Sequence, residues 1–221
     1  MSFDLDLVLN ALPQVLSGLQ VTLVMWLLGG LLAFLLGFVI AVARQFGGRL
    51  LRRALTLPVE IVRGTPFLIQ LFLLYYGGPF IGIDLEPYDA GLVGLTVYGS
   101  AYFAEIVRGG FEAIPKGHVE AAVCLGLGRA AIIGRILLPE MALLILPASV
   151  NLLIILIKET AILSIITVPE LTMAVTAIGS EHFAFVEAAF LLAVGYWLLV
   201  EATSRAGRFA ERRLQRFRLV A

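Results

Sequence analysis

The class of fold is decided by the stretch Leu19–Ala43, which reads LQVTLVMWLLGGLLAFLLGFVIAVA and is closed by Arg44. A helix needs about 20 apolar residues to cross the hydrocarbon core of a bilayer, so this run predicts a membrane-spanning helix. The residues before it contain Asp4 and Asp6 but no Lys or Arg. A cleaved signal peptide has a basic n-region, and we therefore expect the first span to be retained.

The composition of the chain agrees with a protein that lies mostly in hydrocarbon. Of its 221 residues, 60% are hydrophobic and 14% are charged, and the mean hydropathy is +0.99. The formal net charge of zero indicates no polyanionic partner such as a nucleic acid. Cys124 is the single cysteine, and His118 and His182 lie far apart, so the sequence predicts no disulfide and no metal site.

We expect an all-α integral membrane protein whose residues 1–221 form one domain. Apolar runs, separated by polar or Gly/Pro-rich breaks, predict five transmembrane helices. These spans lie at about 17–43, 57–79, 90–108, 141–168 and 183–204. Between the third and fourth spans, residues 111–139 are too charged for lipid and form a polar, helix-rich loop.

The charges are distributed unevenly between the two sides of the predicted bundle. If the N-terminus is outside, segments 44–56, 108–140 and 201–221 are cytoplasmic. They contain every Lys and Arg except Arg63 and Lys158. The outer segments contain acidic residues only: Asp4, Asp6, Asp84, Glu86, Asp89, Glu170 and Glu181. This asymmetry follows the positive-inside rule and favours an outer N-terminus and a cytoplasmic C-terminus.

The loop between the third and fourth spans predicts a helix–turn–helix on the membrane surface. Its two alanines form a small face for close packing, Gly126 permits a tight turn, and Pro139 ends the second helix before the fourth span. The specified residues are Glu120, Ala121, Ala122, Gly126, Ile136, Leu138 and Pro139.

That spacing resembles the EAA loop of ABC importer permeases, written E-A-A-x3-G-x9-I-x-L-P, and it matches at each specified position. The alternative is an ordinary amphipathic loop helix. The resemblance implies the type I ABC importer permease fold and a coupling helix that docks on an ATPase subunit. The chain has no Gly-Lys dipeptide and hence no phosphate loop of its own, so ATP and Mg are expected on that separate subunit.

Other motifs resemble the polar amino acid branch of this family, the histidine, glutamine and arginine permeases. They are Arg63-Gly64-Thr65-Pro66 with Gln70, the segment from Tyr98 to Gly110, and Ile157-Lys158-Glu159-Thr160. Ala161 departs from the branch, where a small hydroxyl residue is common. The resemblance implies an amino acid substrate, an extracytoplasmic binding protein, two ATPase subunits and a second permease chain, identical or paralogous, in the bacterial cytoplasmic (inner) membrane.

Several charges fall inside the predicted spans, where an unpaired charge costs several kcal/mol. Glu60 with Arg63 and Glu105 with Arg108 are three residues apart and can pair along their helices. Lys158 and Glu159 are adjacent and diverge by about 100° on a helix, so they cannot be each other's main partner.

If the fourth span begins near Pro147, Lys158 lies about 16 Å along it, near the bilayer midplane. We expect Glu159 to meet a substrate ammonium and Lys158 to meet a carboxylate or a neighbouring helix; a purely structural ion network is the alternative. Thr160, Tyr98 and Tyr102 are further candidates for the substrate path, with interhelical packing as the alternative for the tyrosines.

The segment Arg63-Gly64-Thr65-Pro66 is a candidate inner gate, because Pro66 interrupts the backbone hydrogen bonds of its helix. A different class of function uses the same buried charges. An ion-coupled secondary carrier or channel would move ions or protons through Lys158 and Glu159, but it would have no use for an ATPase-docking loop.

Overall fold

The structure is a computed structural model that describes residues 5–218, with side chains over 6–213, and all regular structure in that range is helical. Asp4 lies outside the described residues, as do the side chains of Arg216 and Arg218. The α-helices are α1 (Leu5–Phe46), α2 (Arg49–Gly64), α3 (Phe67–Tyr75), α4 (Pro87–Glu112), α5 (Lys116–Cys124), α6 (Arg129–Ile132), α7 (Leu138–Glu159), α8 (Leu171–Glu181) and α9 (Phe185–Arg218). Gly78–Ile81 and Thr160–Ile166 form 3₁₀-helices, and Ile133–Leu137 forms a π-helix.

The most extensive helix contact of the described chain is that of α1 with α4, and small residues bring the two backbones together. A Cβ added to Gly99 would lie 2.7 Å from Cβ of Ala33, and one added to Gly37 would lie 2.6 Å from Cβ of Phe103. Along this contact the residue numbers of α1 and of α4 increase in the same direction, so the two helices run parallel. Close approach through small residues is the usual way helices associate in lipid, where the hydrophobic effect contributes nothing.

Parallel packing of α1 and α4 requires the chain between them to return across the bundle. α2 and α3 make that return as a bent pair at an angle of 106°. Four of the described helices are long and apolar enough to cross a membrane, and the bent pair is a fifth candidate. With the pair counted, the candidate spans of the described chain number five, in agreement with the predicted number.

The fourth span runs antiparallel to α4. Gly110 contacts Ile145, Gly99 contacts Leu156 and Gly91 contacts Leu163, so residue numbers rise on one side as they fall on the other. α7 begins at Leu138 rather than near Pro147. The predicted 16 Å from the start of the span to Lys158 is therefore wrong; the separation is about 30 Å.

The predicted second span, 57–79, is a broken helix because Pro66 has no N–H to donate to the carbonyl of Val62. The side-chain amide of Gln70 replaces it, with Nε2 2.7 Å from the Val62 oxygen and 3.0 Å from that of Thr65. The Thr65 hydroxyl donates to the carbonyl of Ile61 at 3.0 Å. The break therefore leaves few backbone acceptors unsatisfied, as hydrocarbon requires. We call this bend the elbow (Arg63–Pro66).

The surface loop has the predicted helix–turn–helix form. α5 ends in a turn in which Gly126 has φ +73°, a backbone conformation that favours glycine. The prediction that Pro139 ends the second helix is wrong. The chain continues through the π-helix into α7, and Pro139 lies in the first turn of α7. A π-bulge widens the preceding turn, which removes the usual clash of proline with the carbonyl four residues back.

Glu170, which the charge pattern placed in an outer segment, is a fully buried helix cap. Its two carboxylate oxygens accept hydrogen bonds from the backbone N–H groups of Thr172 and Met173, both at 2.9 Å, at the start of α8. The hydroxyl of Tyr196 on α9 donates a further bond at 3.0 Å. Glu170 thus caps α8 and joins it to α9.

The α1–α4 contact generates a stability prediction. Gly99→Ala adds a methyl group 2.7 Å from Cβ of Ala33 and 3.1 Å from Leu156, so we expect a loss of about 1–3 kcal/mol from overpacking. Thermal unfolding of the chain in detergent micelles measures it as a lowered Tm.

The matched control is Gly109→Ala in the same helix, where no atom lies within 4 Å of the added Cβ. Its Tm should stay the same or rise, because alanine is the better helix former. A Gly99→Ala chain as stable as the parent would contradict the proposed packing.

Candidate functional site

The predicted site residues fall into two regions of the bundle. The end at which α1 and α4 finish, here called the basic end, carries the surface loop formed by α5 and α6. The middle of the bundle carries the elbow, Tyr98 and Tyr102 of α4, and the charged pair at the end of α7.

At the basic end, α5 directs polar and apolar groups outward. Glu120 and Ala121 are exposed and Ala122 is buried, so of the two alanines only Ala122 packs inward as predicted. Val123 and Leu125 are 60% and 79% exposed. Large apolar side chains this exposed on a polar loop are typical of a surface that binds another protein.

A polar contact fixes this loop to the helix bundle. The Nδ1 atom of His118 on α5 lies 2.8 Å from Oε2 of Glu140, in the first turn of α7. A cleft of about 470 Å³ separates α5 from the ends of α1 and α4, with Phe46, Phe111 and Glu120 in its lining.

The later motif residues lead from the loop into α7. Ile136 and Leu138 are half-buried and Pro139 is exposed. Because the π-helix joins α7 without a break, the motif ends inside the helix that carries Lys158 and Glu159.

The elbow is held against α4 by Arg63. Its guanidinium lies 5.6 Å from the ring centre of Tyr102 and 3.8 Å from Oε2 of Glu105, and the Tyr102 hydroxyl donates to the Arg63 carbonyl at 3.4 Å. The predicted partner Glu60 is not the one that Arg63 contacts.

Glu105 is the centre of an ion network that joins three helices. Arg108 binds it along α4 at 2.8 Å, as the spacing predicted. Arg44 of α1, only 7% exposed, approaches Oε1 at 2.6 Å. Sequence spacing could not predict the Arg44 contact, because spacing rules cover partners on one helix only. Partial burial strengthens these bonds compared with surface pairs.

The tyrosines of α4 pack between helices. Tyr98 is buried, with its ring centre 5.2 Å from Phe67 of α3 and 4.9 Å from Tyr102. Tyr102 is half-buried. One face of α4 therefore contacts the chain on both sides of the bend, at Arg63 of α2 and at Phe67 of α3. Aromatic pairs at these distances add about 0.5–1.5 kcal/mol beyond their burial.

Lys158 and Glu159 lie at middle depth in the bundle. α4 places Gly99 opposite Leu156 and Gly91 opposite Leu163, and Gly99 is at the centre of α4, so the charged pair lies beside its middle turns. Lys158 is exposed and Glu159 is half-buried. Neither forms a salt bridge within residues 6–213.

The remaining candidate, Thr160, is fully buried, and its hydroxyl donates to the carbonyl of Ile157 at 2.7 Å. Glu159 lies close enough to Tyr98 for an electrostatic interaction. The structure therefore brings the elbow, the tyrosines and Glu159 into one region. The described residues contain no cluster of three or more metal-binding side chains.

Curated relatives match this chain over nearly its whole length. The glutamine transport system permease protein GlnP of Escherichia coli (strain K12) is 33% identical over 97% of this chain and 99% of its own. The arginine transport system permease protein ArtQ of Bacillus subtilis (strain 168) is 31% identical over 97% and 99%. The probable amino-acid ABC transporter permease protein YckA of the same strain is 34% identical over 89% and 87%.

Solved structures give the same architecture. A chain from the crystal structure of an amino acid ABC transporter with histidines superposes with a TM-score of 0.90 at 32% identity, covering 96% of this chain and all of the other. An inward-facing MetNI methionine ABC transporter matches with a TM-score of 0.73 at 24% identity, which supports the fold alone.

The family model for the inner membrane component of binding-protein-dependent transport systems matches residues 33–216. Components of this family lie in the inner membrane and are not enzymes, since the ATPase is a separate subunit. This chain belongs to that family, and it is the multi-pass membrane subunit of an ABC importer.

Proposed function

We propose that the importer carries an amino acid and that the substrate passes Glu159. The observation that supports this most directly is the pair Lys158–Glu159, held at middle depth without a salt-bridge partner in the described chain. An amino acid presents one ammonium and one carboxylate, the complement of this pair. The glutamine and arginine permeases among its relatives are named for substrates of this class.

The coupling loop, Glu120–Gly126 with Ile136, Leu138 and Pro139, docks on the ATPase in this proposal. Its exposed Val123 and Leu125 supply apolar contact area, and Glu120 supplies a charge at the edge. The chain itself binds no cofactor; ATP and Mg belong to the two ATPase subunits. Family membership argues against the ion-coupled carrier, which has no such docking loop.

The elbow (Arg63, Gly64, Thr65 and Pro66) acts as the inner gate. Its backbone is already broken, so the angle between α2 and α3 can change without breaking a continuous helix. A second permease chain, identical or paralogous, completes the enclosure, and an extracytoplasmic binding protein delivers the substrate. ATP-driven closure shifts the population between inward-facing and outward-facing states.

Charge reversal in the loop tests the coupling role. Glu120→Lys should reduce both co-purification of the ATPase subunit and substrate uptake by about tenfold or more, because a wrong charge at an interface costs several kcal/mol. The control is Glu211→Lys, the same reversal on α9. Unchanged co-purification and uptake in Glu120→Lys would show that the loop does not dock the ATPase.

The substrate path is tested with Glu159→Gln, which removes the charge and keeps the shape. Loss of a charged hydrogen bond of about 1.5–3 kcal/mol should raise the KM for uptake roughly tenfold or more, with the complex still assembled. Glu181→Gln, at the exposed end of α8, should leave uptake unchanged. A normal KM and a normal rate of uptake in Glu159→Gln would contradict the proposed contact.

The orientation is tested with the native cysteine. Cys124 is the single cysteine and is exposed on α5. If the basic end is cytoplasmic, as the positive-inside rule favours, a membrane-impermeant thiol reagent should label it in inverted vesicles and not in right-side-out spheroplasts. A Cys124→Ser chain carrying Ile81→Cys, at the opposite end, should give the reverse pattern. Labelling of Cys124 from outside would invert the topology.

A further inference from the structure

The N-terminal part of α2 presents three different faces. At 100° per residue, Leu55, Val59 and Val62 fall on one side, and this side packs against α1 and α4. A second face is apolar but exposed, with Leu50, Leu57 and Ile61 between 57% and 83% accessible. The third is polar: Arg49, Arg52, Arg53, Thr56 and Glu60 line a recess of about 460 Å³.

The position of α2 explains this division. α2 makes an angle of 106° with α3, which runs along α4, so α2 lies across the bundle rather than along it. It begins at Arg49, directly after the end of α1 at Phe46. The N-terminal part of α2 therefore adjoins the basic end, where an amphipathic helix turns its apolar face toward acyl chains and its basic face toward headgroups.

The three arginines of this face differ electrostatically from the other arginines nearby. Arg44, Arg63 and Arg108 all contact Glu105. Within residues 6–213, none of the guanidinium groups of the recess forms a salt bridge. The recess therefore carries three arginines against one carboxylate, that of Glu60, and an excess of positive charge remains.

From this geometry we infer that the recess on α2 binds the headgroup of an acidic phospholipid. The phosphodiester lies among Arg49, Arg52 and Arg53, and the acyl chains follow the exposed apolar face at Leu57 and Ile61. Glu60 also lines the recess, about two turns further along α2 than the arginines. The complementary charge and the adjoining apolar face fit a lipid better than a soluble anion, which would leave Leu57 and Ile61 without a contact.

Native mass spectrometry of the complete importer, with phosphatidylglycerol or phosphatidylcholine added, tests the inference. The variant is Arg49→Gln, Arg52→Gln and Arg53→Gln in one chain. We expect its affinity for phosphatidylglycerol to fall about fivefold per arginine, since each basic residue near an anionic surface contributes about 1 kcal/mol. Its weak binding of phosphatidylcholine should not change.

Two further variants make the result specific. Replacing the same three residues with Lys keeps the charge and should keep the selectivity, which separates loss of charge from misfolding. Arg205→Gln, Arg208→Gln and Arg212→Gln on α9 removes an equal charge elsewhere and should leave phosphatidylglycerol binding intact.

Three outcomes would overturn the site. The α2 variant could bind phosphatidylglycerol as tightly as the parent chain. The α2 and α9 variants could lose binding equally, which would reduce the effect to net charge. Finally, the α2 variant could lose an ATPase subunit while lipid binding stays constant, which would assign this face to a protein partner.

Discussion

α1 and α4 run side by side in the same direction, at a separation that glycine and alanine permit over successive turns. Ala33 meets Gly99 and Gly37 meets Phe103, and neither contact leaves room for another methyl group. Two parallel neighbours need a return crossing, and the chain has only the segment between Phe46 and Pro87 to make it. The position of α2 and α3, and thus of the elbow, is a consequence of this one contact.

The elbow shows how hydrocarbon limits the ways in which a helix can be broken. Pro66 frees the carbonyl of Val62, and in lipid that oxygen must find another donor. Gln70 supplies it from the following helix. The α2 side of the break is held differently, because the guanidinium of Arg63 contacts the ring of Tyr102 and the carboxylate of Glu105. The backbone of the elbow is satisfied locally, while its orientation depends on side chains of α4.

The sequence predicted what depends on local pattern. Apolar runs located the spans, Gly126 located the turn of the loop, and the three-residue spacing located the pair Glu105–Arg108. Contacts between segments that are distant in the sequence were not predicted. Arg44 reads as the charge that ends a span, yet it is buried against Glu105.

The role of Glu170 was missed for the same reason. The charge pattern counted it among the acidic residues of the outer segments, but it did not predict a buried cap whose third partner, Tyr196, lies on another helix. The prediction that Pro139 ends the second helix of the loop was wrong because the rule behind it has an exception. Proline ends a helix unless the preceding turn widens, and here a π-helix widens it.

The two regions of the site are joined by a single continuous element. From Arg129 to Ile166 the chain is helical throughout, and it runs from the surface loop past the middle turns of α4. His118 is hydrogen-bonded to the start of α7 at Glu140, and Lys158 and Glu159 are at its end. The shortest connection from α5 to the charged pair therefore runs through the His118–Glu140 contact and then along α7. Only this first step depends on side chains, because the backbone of α7 makes the rest of the connection.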